Sequence, residues 1–152
     1  MIPKWIPVYN NRNSDCAAGW TYFPHSQHCY RHFQAKLIFW DARTECRKYG
    51  TAGSKSLCDY HQCATLASIH DEETNNFLVS LTAQGSIQNS RNWIGGIYTQ
   101  GTKKWTWDDT SSFNFKHFAR GYGEPDYNAI FLEFYRFVPV SIAPSWKFNR
   151  YL

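Results

Sequence analysis

The sequence predicts an α+β fold, one domain in which two helices accompany antiparallel sheet, and three observations carry that expectation. Two stretches of helical period, starting near Trp40 and Asp71, flank a short apolar strand. Strand-like runs then crowd the second half, at Trp93-Ile94-Gly95-Gly96-Ile97, Trp105-Thr106-Trp107-Asp108-Asp109 and residues 129–135. Finally, 43% of the 152 residues are apolar, which suits one compact core rather than two. The order strand, helix, strand, helix and then strands alone favours an antiparallel sheet over an alternating parallel one.

Taken in order, residues 1–15 are polar and contain Pro3 and Pro7, so they read as an N-terminal arm, along the surface or disordered, ahead of a domain at 16–152. Cys16 opens a hairpin whose turn is Pro24-His25-Ser26-Gln27 and whose second strand holds Cys29. A Cys16–Cys29 disulfide fits this hairpin and would contribute roughly 3 kcal/mol on the chain-entropy account. In the first helix Ala42, Cys46 and Tyr49 share one face, which points Cys46 into the core, and Gly50 supplies the stop. Residues 51–62 read as an inserted polar loop that Cys58 and Cys63 can pinch at its base.

The strand at 64–69 leads to a second helix. Its opening acids Asp71, Glu72 and Glu73 suit the positive end of the helix dipole. Thr74, Phe77, Leu78 and Leu81 then fall on one stripe, and Gly85 ends it. Residues 91–126 are the centre of the reading. Trp105 and Trp107 lie two apart, so on a strand they face one side, and a turn at Gln100-Gly101 would let Trp93 join them in one buried wall. Beyond that wall come residues of no clear period, where a scaffold displays a binding loop.

The formal charge of +4 comes from sixteen Lys and Arg that are scattered, with pairs such as Lys103-Lys104 as the longest runs. Nucleic-acid binders concentrate their charge on one face, so the basicity reads as a solvated surface. No window is apolar enough to span a membrane, and residues 1–15 lack the apolar segment of a secretory leader. Five cysteines in a domain this small nevertheless point to an oxidising, extracellular setting. The odd count leaves at least one thiol without an intrachain partner. Cys58, His61 and Cys63 with His70 lack the second ligand pair that a zinc site needs, so a local disulfide is the better reading. No nucleophile elbow, phosphate loop, dinucleotide fingerprint or zinc-protease motif is present, which argues against an enzyme.

Six features in order resemble the C-type lectin-like domain family. They are Cys16-Ala17-Ala18-Gly19-Trp20 with Cys29-Tyr30, the helix from Trp40 to Cys46, Leu66-Ala67-Ser68-Ile69-His70 to Leu78, Trp93-Ile94-Gly95-Gly96, Trp105-Thr106-Trp107-Asp108-Asp109, and Gly123-Glu124-Pro125-Asp126. The resemblance implies two helices, antiparallel sheets and a long ligand-presenting loop. It also implies that Glu124 and Asp126 hold Ca2+, that Pro125 positions them, and that vicinal sugar hydroxyls complete the ion's shell. Calcium wants six to eight hard oxygens, so the donor type is apt.

Other parts of the family pattern are absent. No Glu–Cys pair follows Asp126, and Trp146-Lys147-Phe148-Asn149 resembles the family's Trp-Asn-Asp only loosely, which leaves Asn149 as the third candidate ligand. The family's final cysteine, the partner of the one matched by Cys46, is also missing. Either the chain is cut short or its C-terminal strand has diverged, and Cys46 is free or takes Cys58 or Cys63. The expected function is a secreted carbohydrate-binding module, with Tyr122 and Tyr127 beside the sugar and a homo-oligomer supplying avidity. The alternative is a calcium-independent domain that binds a cell-surface protein through the aromatic loop 111–127.

Overall fold

The computed structural model describes residues 1–5, 16–49, 63–83, 91–118, 130–135 and 145–149. Two four-stranded antiparallel sheets and two helices make up this part of the chain. The first sheet contains β1 (Pro3–Trp5), β2 (Thr21–Phe23), β3 (His28–Tyr30) and β4 (Thr65–Leu66), in the order β2-β3-β1-β4. The second contains β5 (Arg91–Thr99), β6 (Lys104–Trp107), β7 (Ile130–Tyr135) and β8 (Ser145–Asn149), in the order β6-β5-β7-β8. Helix α1 spans Phe39–Cys46 and α2 spans Glu72–Ala83.

The helices form where the apolar spacing predicts. Phe39, Ala42 and Cys46 are buried on α1 and pack with Leu66 and Phe131. Leu78 and Leu81 of α2 enter a second cluster with Tyr30, Ala67, Ile69, Ile94 and Trp107. Asp71 caps α2, its Oδ1 accepting the Thr74 backbone N–H at 2.7 Å, so one of the acids read as a dipole partner is also a hydrogen-bonding cap. The expected hairpin is present as β2 and β3, and Cys16 and Cys29 are bridged with their Cα atoms 5.8 Å apart. Cys63 is also disulfide-bonded, whereas its expected partner Cys58 lies outside the described residues. Cys46 is a free, buried thiol. Its burial pushes its pKa up, which keeps the sulfur protonated and unreactive.

Two expectations are corrected. The sequence sets residues 1–15 apart as an arm, but residues 1–5 belong to the fold, and residues 6–15 lie outside the described residues. Strand β1 pairs with β3 on one side and β4 on the other, and Met1 and Ile2 are buried. Pro3 is tolerable because it stands at the first position of its strand.

The tryptophans also divide. Gly96 stands opposite Trp107 and Tyr98 opposite Trp105, so the even positions of β5 share the face of the two β6 indoles. Trp93 has the other parity and packs with Phe39 and Phe131 around α1, its Nε1 donating to Leu37 O at 2.8 Å.

The sheets are stitched together through the backbone. Ile2 N donates to Trp93 O, Ala67 N to Ile2 O, Gly95 N to Ala67 O, and Asp108 N to Gly95 O, at 2.7–3.2 Å. Ala67, the residue after β4, spends both its backbone N–H and its carbonyl on this seam. Gly95 is there because a Cβ at that position would stand 2.8 Å from the Leu66 carbonyl oxygen.

Candidate functional site

Strand β6 delivers two adjacent carboxylates to the root of the expected loop. The Asp108 side chain is fully buried, and its Oδ1 accepts Arg43 Nε at 2.6 Å and Arg47 Nη2 at 3.2 Å, both from the α1 region. Asp109 points the other way and pairs with Lys4 Nζ at 2.6 Å. Its Oδ2 also accepts the Ser68 hydroxyl at 2.8 Å, and its Oδ1 accepts the Ser111 backbone N–H at 3.0 Å. Burial pushes the Asp109 carboxyl up, but the Lys4 charge and the hydrogen bonds from Lys4 and Ser111 outweigh it and hold the pKa at about 2. Residues 108–111 are thereby tied to β1, β4 and α1 at once.

The same network places Ser68 Oγ 2.9 Å from His70 Nε2, with His70 Nδ1 3.0 Å from Asn114 Oδ1. A serine, an imidazole and an amide in line invite comparison with a nucleophilic triad. The hydrogen bonds argue otherwise. Ser68 gives its one hydroxyl proton to Asp109 Oδ2 and has none left to pass to His70 Nε2. The Lys4 ammonium also lies against the same oxygen. The cluster is a brace for the segment that follows β6.

The other end of the loop is set by β7 and β8. Strand β7 begins at Ile130, and the β7–β8 register places residue 149 opposite Phe131, at the end of the sheet where β7 starts. The chain therefore brings the Asn149 position to the place where the segment carrying Glu124 and Asp126 re-enters the sheet. Glu124, Pro125, Asp126, Tyr122 and Tyr127 themselves lie outside the described residues. Among the described residues no three His, Cys, Asp or Glu side chains group as metal ligands.

The aromatic residues of the loop's first half turn inward. Phe113 lies over Trp107 with ring centroids 4.7 Å apart and stacks on Trp105 at 5.8 Å, while Phe118 lies 5.6 Å from Trp105. Phe115 packs on the same core cluster. These rings fasten residues 111–118 to the sheet.

The profile of the lectin C-type domain matches residues 35–129. The chain belongs to the C-type lectin family. Among relatives of this lectin domain, the galactose-specific lectin nattectin of Thalassophryne nattereri is 30% identical over 119 residues, 78% of this chain and 64% of nattectin. Snaclec EMS16 subunit beta of Echis multisquamatus is 30% identical over 105 residues, 69% of this chain and 59% of that subunit. The domain thus matches less than two thirds of either relative's length. The crystal structure of the C-type lectin CEL-I from Cucumaria echinata superposes with a TM-score of 0.68 at 21% identity, covering 88% of each chain, and so shares the fold. No helix among the described residues is long and apolar enough to cross a membrane.

Two features of the lectin domain escaped the sequence reading. One is the Lys4–Asp109 pair, since nothing in a Pro-bearing N-terminal stretch marks a lysine that joins a carboxylate so far along the chain. The other is a concavity of about 550 Å3 lined by Tyr98, Lys103, Lys104, Trp105, Ser112, Phe113 and Lys116. The Lys103-Lys104 pair is a signal for it, but Lys116 joins that pair only in the folded chain, where Phe113, Phe115 and Phe118 hold its segment against the sheet.

Proposed function

We propose that this domain is an extracellular carbohydrate-binding module, not an enzyme, in which Glu124, Asp126 and Asn149 hold a calcium ion that takes two vicinal sugar hydroxyls. The observation that carries the reading is the β7–β8 register, which brings the Asn149 position to the strand end reached four residues after Asp126. Two carboxylates and an amide are hard oxygen donors, the set that calcium prefers over softer ligands. The ion supplies a Lewis-acidic point for neutral hydroxyls. Pro125 orients its two neighbours, and Tyr122 and Tyr127 flank the sugar ring.

Nattectin's name makes galactose the first sugar to try. Single-site affinity is expected to be millimolar, about −4 kcal/mol, so function requires several copies presented together. That a relative is named as a subunit supports assembly of this kind.

Calcium at a hundredfold excess over its Kd should stabilise the fold by about 2.7 kcal/mol. The expected result is a melting transition that rises in calcium and returns in excess chelator, together with retention on a galactose resin that chelator reverses. Asp126→Ala should remove both effects while melting at the parent temperature in chelator. If the parent melts identically with and without calcium, the reading is wrong. The calcium-independent protein-binding alternative draws less support, because Phe115 and Phe118 of that loop pack against the core cluster.

A further inference from the structure

The basic concavity beside the β5–β6 turn lies outside the calcium reading. Its floor and walls are Tyr98, Trp105 and Phe113, and its rim carries the exposed Lys103, Lys104 and Lys116 with the hydroxyl of Ser112. None of the three lysines has an ion-pair partner among the described residues, although Lys4, Arg43, Arg47 and Lys48 are all paired. Among the described residues no carboxylate lines the space. Its volume, about 550 Å3, falls inside the roughly 300–1,000 Å3 typical of small-ligand sites. Three ammonium groups around one hollow repel each other unless an anion sits among them.

The backbone carries the same message. Lys103 adopts the left-handed conformation, with φ of 52°, as it closes the turn after residues 100–102. A side chain there costs of order 1 kcal/mol that glycine or asparagine would largely avoid. Such strain is retained where the side chain has a use.

We propose that this concavity is a calcium-independent subsite for an anionic saccharide, with a sugar ring against Trp105 and Phe113 and its sulfate or carboxylate held by Lys103, Lys104 and Lys116. The combination of flat apolar rings and compact ammonium charges selects a ligand that has both a C–H face and an acid group. An extended polynucleotide would need the basic surface to continue as a stripe, whereas these lysines belong to one hollow. The location is apt as well. Tyr98 is paired with Ile130, the first residue of β7, so the hollow adjoins the strand end where the calcium-site loop returns. The proposal does not depend on the calcium site.

The test is calorimetric titration of the intact domain in excess chelator with three probes: a heparin-derived sulfated tetrasaccharide, a sialylated trisaccharide and inorganic sulfate. The expected result is binding of at least one saccharide that weakens steeply between low and physiological salt. The triple variant Lys103→Gly, Lys104→Gln, Lys116→Gln should bind it about tenfold more weakly or worse. The single variant Lys103→Gly should melt at or above the parent temperature, since it relieves the left-handed strain, yet still bind more weakly.

Preference for the sulfated or for the sialylated probe supports the proposal and identifies the acid group. Absence of saccharide binding, unchanged binding by the triple variant, or sulfate binding as tightly as the saccharides would overturn it. Calcium-dependent retention on galactose, measured on the same triple variant, reports the other site separately, so failure of one reading is distinct from failure of the other.

Discussion

A Lys4→Met protein is expected to lose roughly 3–5 kcal/mol of stability, the usual consequence of removing one partner of a buried ion pair. For a domain of this size that corresponds to a melting temperature lower by about 10 °C or more. Lys4 Nζ and Asp109 Oδ2 are 2.6 Å apart, with side chains only 8% and 16% exposed. Without the ammonium, the Asp109 carboxylate keeps only its hydroxyl and amide partners.

The sign of the pH dependence follows from the depressed pKa, about 2 in the fold against 3.8 for the free side chain. A carboxyl whose folded pKa lies below its unfolded value contributes stability above the unfolded value and loses it as pH falls through the folded one. The parent should therefore lose roughly 2 kcal/mol between pH 5 and pH 2 from this group alone, and the Lys4→Met protein much less. Adding Asp109→Leu to Lys4→Met should restore part of the loss by removing the stranded charge. Urea titrations of the three proteins at pH 7, 4 and 2.5 measure all of this. An acid limb of the same slope in parent and Lys4→Met would show that the pair is not its source.

Gly95→Ala is expected to cost about 1–3 kcal/mol, as overpacking does where the neighbour cannot yield. The neighbour here is backbone. The new methyl would meet Leu66 O at 2.8 Å and Ala67 O at 3.4 Å. Relief requires β4 to move away from β5 and so lengthens the Gly95 N to Ala67 O bond, now 2.9 Å. Gly101→Ala is the control, since nothing lies within 4 Å of its virtual Cβ, and there the reduced freedom of the unfolded chain should leave stability unchanged or slightly higher. Thermal melts of both variants decide it. Equal behaviour would mean that the seam between the sheets tolerates an ångström of separation.

Those two sites also show what could be read in the sequence. Periodicity places both helices because their buried faces repeat every three or four residues within one short window, as Ala42 and Cys46 or Leu78 and Leu81 do. Alternation places Trp105 and Trp107 on one face for the same local reason. Alternation alone does not place Trp93, because strand parity across a turn depends on register, and one position of register reverses the face. The role of Met1 to Trp5 is illegible in the sequence because it rests on backbone bonds to β3, β4 and β5, which need no side-chain pattern, and on one lysine–carboxylate pair distant along the chain. The loop residues Glu124 and Asp126 were legible as donors by chemical type. The hollow at Lys103, Lys104 and Lys116 was not, since charges scattered along a chain reveal a common site only after folding.

The position of β1 between β3 and β4 has a consequence for how the domain is made. Its partners are spread along the chain, at residues 29–30 and 65–66 and, through Ile2, at Trp93. A ribosome delivers residues 1–5 well before the last of these partners. During that interval the apolar Met1 and Ile2 and an unpaired strand edge stay available to other chains. Long-range pairings of this kind slow folding and prolong exposure to aggregation. Chaperone demand and the yield of refolding from inclusion bodies should therefore depend on the first five residues far more than their share of the chain suggests.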